Sequence, residues 1–393
     1  MVSDASQLLT EARRYEAGAL ELRRRIHRNP ELGLDTPQTR AAVLEALEPL
    51  GLEIRLSETT SGILATLRGG KPGRTILLRG DMDALPLHEE TDVEFRSELP
   101  GKMHACGHDA HTAMLASAAR LLTETRDQLV GNVVFMFQPG EELYGGARYM
   151  LEEGALDGVG AAFALHVAPQ LPTGMFAGRA GPALAAYDDF SISLRGRGGH
   201  ASMPHDAVDP IPAACEIAQA LQTMVTRSIS AFEPVVLTVG KIEAGTTNNV
   251  IPETAEMRGT FRSLSERSRD LARTGLQRVV EGVSSAHGLE ASFQIDPGYP
   301  VTVNDGPFSA FASETLRESF GSSAFVEAPH PLMGAEDFSY LLQKVPGAMF
   351  FLGARPANAD PIEPCHSNRM LLNEESLPFG VAAHAAIARR YLS

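Results

Sequence analysis

Residues 75–86, TILLRGDMDALP, set an unbroken apolar run in front of two carboxylates, Asp81 and Asp83. A short apolar run without alternation suits a strand buried on both faces, as in parallel sheets. The same form returns at 131–142, GNVVFMFQPGEE, which ends on Glu141 and Glu142, and at 161–170, AAFALHVAPQ, which carries His166. It recurs near the C-terminus at 347–356, GAMFFLGARP. Between the first two runs, residues 111–125 (HTAMLASAARLLTET) have the composition and period of a helix. Such strand–helix alternation predicts an α/β fold, a mostly parallel mixed sheet flanked by helices. Ligands of these sheets gather beyond the carboxyl ends of the strands. Asp81, Asp83, Glu141, Glu142 and His166 all fall there.

From residue 185 to 298 the pattern changes. An alternating strand at 187–199 is followed by a helix at 209–227, strands at 233–245 and 253–263, a long helix at 265–288 and a last strand at 290–296. That order, β-α-β-β-α-β, is the ferredoxin-like arrangement. A chain of 393 residues is long for one core. The expected organisation is therefore a larger domain built from 1–184 and 299–393, with 185–298 inserted as a small second domain. The first thirty residues read as one amphipathic helix ended by Pro30.

Thirty-four basic residues against 49 acidic ones leave a net charge of −15. Binding to nucleic acid or an anionic membrane needs a basic face that this balance does not favour. No apolar run approaches the roughly 20 residues that span a bilayer. Three cysteines, Cys106, Cys215 and Cys365, are too few for a disulfide framework and fit a reducing compartment. With no segment of signal-peptide type at the start, the expected location is the cytoplasm.

Residues 102–114, KMHACGHDAHTAM, concentrate His104, Cys106, His108, Asp109 and His111. Cys106 and His108 are two apart, and in an extended segment such a pair faces one way. They read as two ligands of one ion, or as a buried thiol beside a histidine that caps the next helix. Beyond the Pro139-Gly140 turn, Glu141 and Glu142 can both face one point, or they are solvated acids of a loop. His166 must satisfy its ring nitrogens at a strand end, with a metal or with a backbone carbonyl. His366, in EPCHSNRM, becomes informative only beside the others. Together these segments would bring one Cys, three His and one Glu to one rim, a donor mixture suited to zinc and similar borderline ions. Five donors exceed one four-coordinate site and point to two ions. His104, His111 and His205 read as caps of turns or helices, and Cys365 as a small apolar neighbour.

Taken in order, DMDALP (81–86), MHACGHDAHTAM (103–114), FQPGEE (137–142), ALHV (164–167), GGHASMPH (198–205), TTNNVIP (246–252) and MGAEDFSY (333–340) resemble the M20 metallopeptidase family. Within it they are most similar to the amidohydrolase branch of aminoacylases, hippurate hydrolases and indole-acetyl-amino-acid hydrolases. The resemblance covers nearly the whole chain. It implies a zinc-exopeptidase-like fold whose inserted domain is a lid and dimerisation module, hence a homodimer. It implies two divalent metal ions, zinc or manganese with nickel or cobalt as further candidates, held by Cys106, His108, Glu142, His166 and His366. Glu141 would be the general base, and Asp83 a carboxylate that orients a ligand from behind. His200 would be the lid histidine that stabilises the oxyanion, while Asn249 and Arg262 would contact the substrate carboxylate. Asp81-Met82-Asp83 stands where much of the wider family has His-x-Asp, a departure that matches the amidohydrolase branch.

The implied reaction is hydrolysis of the amide bond of a small-molecule N-acyl amino acid by metal-activated water. Two other readings stand beside it. One is a metal-free hydrolase with Cys106 as nucleophile and His108 as base, which leaves the paired glutamates and His366 without a task. The other is a non-catalytic metal- or ligand-binding protein on the same fold.

Overall fold

Four of the apolar runs lie side by side in the middle of an eight-stranded sheet in the computed structural model, which describes residues 4–142, 144–357 and 360–393. Strands Val130–Gln138, Lys71–Asp81, Ala161–Ala168 and Gly347–Gly353 follow one another in that order, and each pairing among them is parallel. Their side chains are buried on both faces, Leu77 and Leu78 as fully as Phe135 and Phe163. That explains the missing polar alternation. Antiparallel strands Ile63–Arg68 and Glu53–Leu56 extend one side. On the other, Phe176–Gly178 pairs antiparallel with Gly347–Gly353 and parallel with Phe325–Glu327. The fold is thus α/β, with a mixed and centrally parallel sheet.

Helix His108–Thr123 is buried nearly all round, because Glu16–Arg28 and Leu377–Tyr391 pack against it as well as the sheet. Its entry is set by Gly107, at φ 93°, where an added Cβ would lie 2.3 Å from Val167 Cγ2. Only glycine lets the Cys106–His108 turn close on the strand that carries His166. Gly140 has the same duty before the glutamate pair: its φ is 74°, and a Cβ there would meet Leu34 Cδ2 at 2.5 Å.

The N-terminal segment departs from the single expected helix. Asp4–Arg13 and Glu16–Arg28 are separate helices, and Tyr15 N bonds Ala12 O at 3.0 Å in a tighter turn. Apolar residues in one helical register do not register such a break.

The chain forms two compact units. The first holds the eight-stranded sheet, and the second comprises Leu184–Thr302 with Pro331–Glu336. In the second, Ala186–Arg195, Pro210–Ser228, Val235–Ala244, Thr254–Ser263, Glu266–Ala286 and Glu290–Pro297 run β-α-β-β-α-β. The strand order is Val235–Ala244, Thr254–Ser263, Ala186–Arg195, Glu290–Pro297, antiparallel throughout. Its helices are capped as their sequences dictate: Asp209 accepts from Ile211 N at 2.9 Å, and Ser265 from Ser268 N at 3.0 Å. Buried Asp188 accepts two bonds from Arg269, at 2.9 and 2.8 Å, and ties helix to strand. Among the described residues no helix is long and apolar enough to cross a membrane.

Candidate metal centre

Parallel strands deliver their carboxyl ends to one rim, where Asp81 is paired with Gln138 and His166 with Phe351. Two imidazoles there share one arrangement. His108 Nδ1 donates to Asp83 O at 2.9 Å, and His166 Nδ1 donates to Val167 O at 2.7 Å. Each carbonyl fixes the proton on Nδ1 and turns Nε2 inward as the free donor atom, as metal-binding histidines require. His108 Nε2 is buried without a hydrogen-bond partner, and His166 Nε2 lies 3.3 Å from Cys106 Sγ. Glu142 Oε1 lies 3.2 Å from His366 Nε2 and 4.0 Å from His108 Nε2, while Glu141 Oε2 is also 4.0 Å from His108 Nε2. Sets of donors therefore gather, each with all atoms within 4.8 Å, among them Cys106–His108–His166, Cys106–Glu142–His366 and His108–Glu141–Glu142.

The electrostatics match a cation site. Burial disfavours an imidazolium at His108, yet Asp81, Asp83 and Glu142 outweigh it and push the group up to about 10. That environment calls for positive charge at Nε2, which a proton or a metal ion supplies. His166 is the opposite case: burial and the neighbouring His111 hold it neutral, down to about 3. A hydrogen bond with Cys365, burial and the Glu142 charge keep Cys106 well above the usual thiol range, so it needs a cation to become a thiolate. Burial opposes ionisation of Glu142, but its hydrogen bond with His366 and the charge on His108 hold it low. His366 itself adopts a left-handed backbone, φ 69°, and its N–H donates to Ala105 O at 2.7 Å. That bond ties the His366 loop to the cysteine loop.

Behind these donors, Asp83 accepts from Glu141 N at 2.9 Å and from Glu142 N at 3.0 Å. One carboxylate thus clamps the backbone of both glutamates. His111 caps nothing: its Nδ1 donates to Asp81 Oδ1 at 2.5 Å and its Nε2 accepts from Val167 N at 2.8 Å. With both nitrogens engaged, it braces the strand that carries His166 instead of offering a lone pair. A buried network continues below. Arg79 donates to Asp81 at 2.6 Å, Asp337 at 2.9 Å and Gln138 Oε1 at 2.9 Å, and Gln138 Nε2 donates to Asp337 at 2.7 Å. Burial works against the Asp81 charge, but Arg79, His108 and His111 hold it well below the carboxylate range. Sequence reasoning missed Arg79, Gln138 and His111 as supports. The available signal was an arginine inside an otherwise apolar buried strand, which must be paired.

A second buried cluster supports the cysteine loop from its other side. Asp109 accepts from Arg23 Nε at 3.0 Å and from His27 Nδ1 at 2.8 Å, and His27 Nε2 is 3.2 Å from Glu89. His104 is buried beside them with neither ring nitrogen bonded, so it is not a cap. Burial disfavours a charged His27, but Asp109 and Glu89 push it up to about 9. Because that lies above the ordinary 6.5, the stabilisation is complete below pH ~6.5 and is lost as pH rises through ~9. Melting temperature should fall from pH 7 to 9.5 by the equivalent of up to about 3 kcal/mol. His27→Gln should start lower and vary less over that interval. Scanning fluorimetry across pH checks this, and a flat wild-type profile would remove the charged pair.

In the second unit, His200 is exposed and pairs with Val250 in a two-stranded ribbon. Its Nδ1 is 2.8 Å from Ser202 Oγ. Asn249 is its neighbour, with Asn249 O accepting from Ala201 N at 3.1 Å. Arg262 lies on strand Thr254–Ser263 with its guanidinium 5.0 Å from the Tyr187 ring centre. The ribbon brings His200 and Asn249 together and leaves Arg262 on a separate strand.

The profile of peptidase family M20/M25/M40 matches residues 77–390. Thermostable carboxypeptidase 2 of Saccharolobus solfataricus is 40% identical over 98% of both chains. N-acetylcysteine deacetylase of Bacillus subtilis is 37% identical over 95% of this chain and 97% of its own. Among solved structures, a dinuclear metal binding peptidase of the M20 family from Bacillus subtilis superposes with a TM-score of 0.85. It is 34% identical, over 97% of this chain and 99% of that one.

Proposed function

The chain belongs to peptidase family M20/M25/M40 and is a hydrolase of amide bonds, and we propose that its substrates are N-acyl amino acids or similar small amides. The observation that carries this reading is the convergence of Cys106, His108, Glu142, His166 and His366 into overlapping donor sets around an unpaired His108 Nε2. The deacetylase relative points to an acyl amide as the bond cleaved.

Two divalent ions would be held by those five residues. When bound, they supply Lewis acidity that acidifies a water and polarises the amide carbonyl. Glu141 takes the proton from the attacking water and returns it to the departing amine. Asp83 holds Glu141 and Glu142 in place through their N–H groups. We assign His200 to the oxyanion, and Asn249 and Arg262 to the substrate carboxylate, which an arginine fork suits. Strand Val235–Ala244 is a sheet edge with Val236 and Ile242 exposed, a surface that supports pairing with a second copy. Sedimentation should therefore read a homodimer; a monomer at micromolar concentration removes that assignment.

The metal-free thiol reading fares worse. Cys106 is held as a thiol above its usual range, and the imidazole it meets is that of His166, held neutral by burial.

The test is a panel of N-acyl amino acids and dipeptides, assayed before chelation, after it, and after reloading with zinc, manganese, nickel or cobalt. Expected are about two ions per chain, turnover abolished by chelation, and turnover restored by reloading. Undiminished turnover in the metal-free protein, or none on any acyl amino acid when loaded, rejects the proposal.

A further inference from the structure

Cys365 stands next to His366 yet belongs to none of the donor groups among the described residues, and the reaction gives it no task. Its neighbour is Cys106. Cys365 Sγ lies 4.0 Å from Cys106 O. These residues are 259 positions apart in sequence, so the contact is made by the fold. It is held by the adjacent backbone bond from His366 N to Ala105 O, at 2.7 Å. Cys106 is buried and Cys365 only partly so, which makes Cys365 the sulfur that a dissolved oxidant meets first.

We propose that Cys365 is an oxidative modification site whose disulfide with Cys106 withdraws a ligand from the metal centre. The loss of metal rests on the dinuclear reading above; the bond does not. Hydrogen peroxide is the oxidant by chemical class. The Cys365 sulfur attacks one peroxide oxygen, the O–O bond breaks, and Cys365 becomes a sulfenic acid with release of hydroxide. Cys106 sulfur then attacks the sulfenic sulfur, the S–O bond breaks and water leaves. In total, two thiols lose two electrons and two protons, and one peroxide becomes two waters. A disulfide sulfur carries no thiolate charge, so Cys106 no longer serves as a ligand. A dithiol reductant restores it by exchange.

The experiment begins with the metal content of the reduced, loaded protein, followed by hydrogen peroxide and non-reducing peptide mass spectrometry. A chromogenic chelator reports released ion throughout. Expected is a peptide pair joining Cys106 to Cys365, two hydrogens lighter than its parts, with ion release that follows its formation and reverses with dithiothreitol. Exposed Cys215 serves as the internal reference for unselective oxidation. Cys365→Ser should keep its metal and its turnover before peroxide, and should retain its metal after peroxide. Loaded protein that forms no Cys106–Cys365 pair, or equal metal loss in Cys365→Ser, overturns the proposal. Reduced protein that binds no ion under any loading condition instead overturns the dinuclear reading, while the linked peptide still reports on the disulfide.

Discussion

Glu141→Gln should retain both ions and the wild-type melting temperature while losing two to four orders of magnitude in kcat, roughly 3–5 kcal/mol of barrier. The substitution keeps the shape of the side chain and removes its ability to take a proton. It also leaves the main-chain bond from residue 141 to Asp83 Oδ1 intact, so the loop should not move. Geometry supports the different roles proposed for the two glutamates, although both lie 4.0 Å from His108 Nε2. Glu142 is also 3.2 Å from His366 and joins the set with Cys106, so it faces donors on both sides. Glu141 does not join that set, in keeping with the general-base role proposed for it. Glu142→Gln should therefore lower metal content, and Glu141→Gln should not. Atomic absorption beside steady-state kinetics separates them. A Glu141→Gln protein that turns over normally, or that loses an ion, would exchange or void the assignment.

The parallel centre of the sheet was legible because burial on both faces removes polar alternation, and residues 76–78 and 133–137 carry that signature without help from tertiary context. Its consequence, a common rim for strand ends, brought Asp83, Glu141, Glu142 and His166 within reach of one another before any coordinates. Spacing pairs Cys106 with His108 on the premise of an extended segment; the chain instead turns at αL Gly107 and His108 opens a helix, and it is this turn that leaves the two in one donor set. What stayed hidden was pairing across long separations. Nothing local to Arg79 indicates that Asp337, 258 residues away, is its partner. Nothing in the run HDAH marks His111 as a brace, because that role depends on Val167 N arriving from another strand. The helix break at Tyr15 was equally invisible, as the apolar register continues through it.

Arg79→Met should be the most destabilising single change in the first unit. Arg79 is fully buried and replaced here by a side chain of similar length, so cavity formation is a minor part of the effect. The main part is electrostatic: Asp81 and Asp337, both fully buried, lose the cation that faces them at 2.6 and 2.9 Å. Leaving charges unpaired in a protein interior costs about 3–5 kcal/mol, equivalent to a fall of roughly 5–15 °C in melting temperature. The pH dependence gives the sign of the mechanism. Asp81 is held well below the usual carboxylate range in the intact protein, so its contribution is present above pH ~4 and lost as pH falls through the folded value. Without Arg79 that depression shrinks, and the deficit of the variant should be large at pH 7 and narrow toward acid, where a protonated Asp81 needs no partner. Arg79→Lys, which keeps one charge but not the three-way fork, should fall between the two. A calorimetric difference that stays constant from pH 7 to well below pH ~4 would mean that packing, and not charge, is what Arg79 contributes.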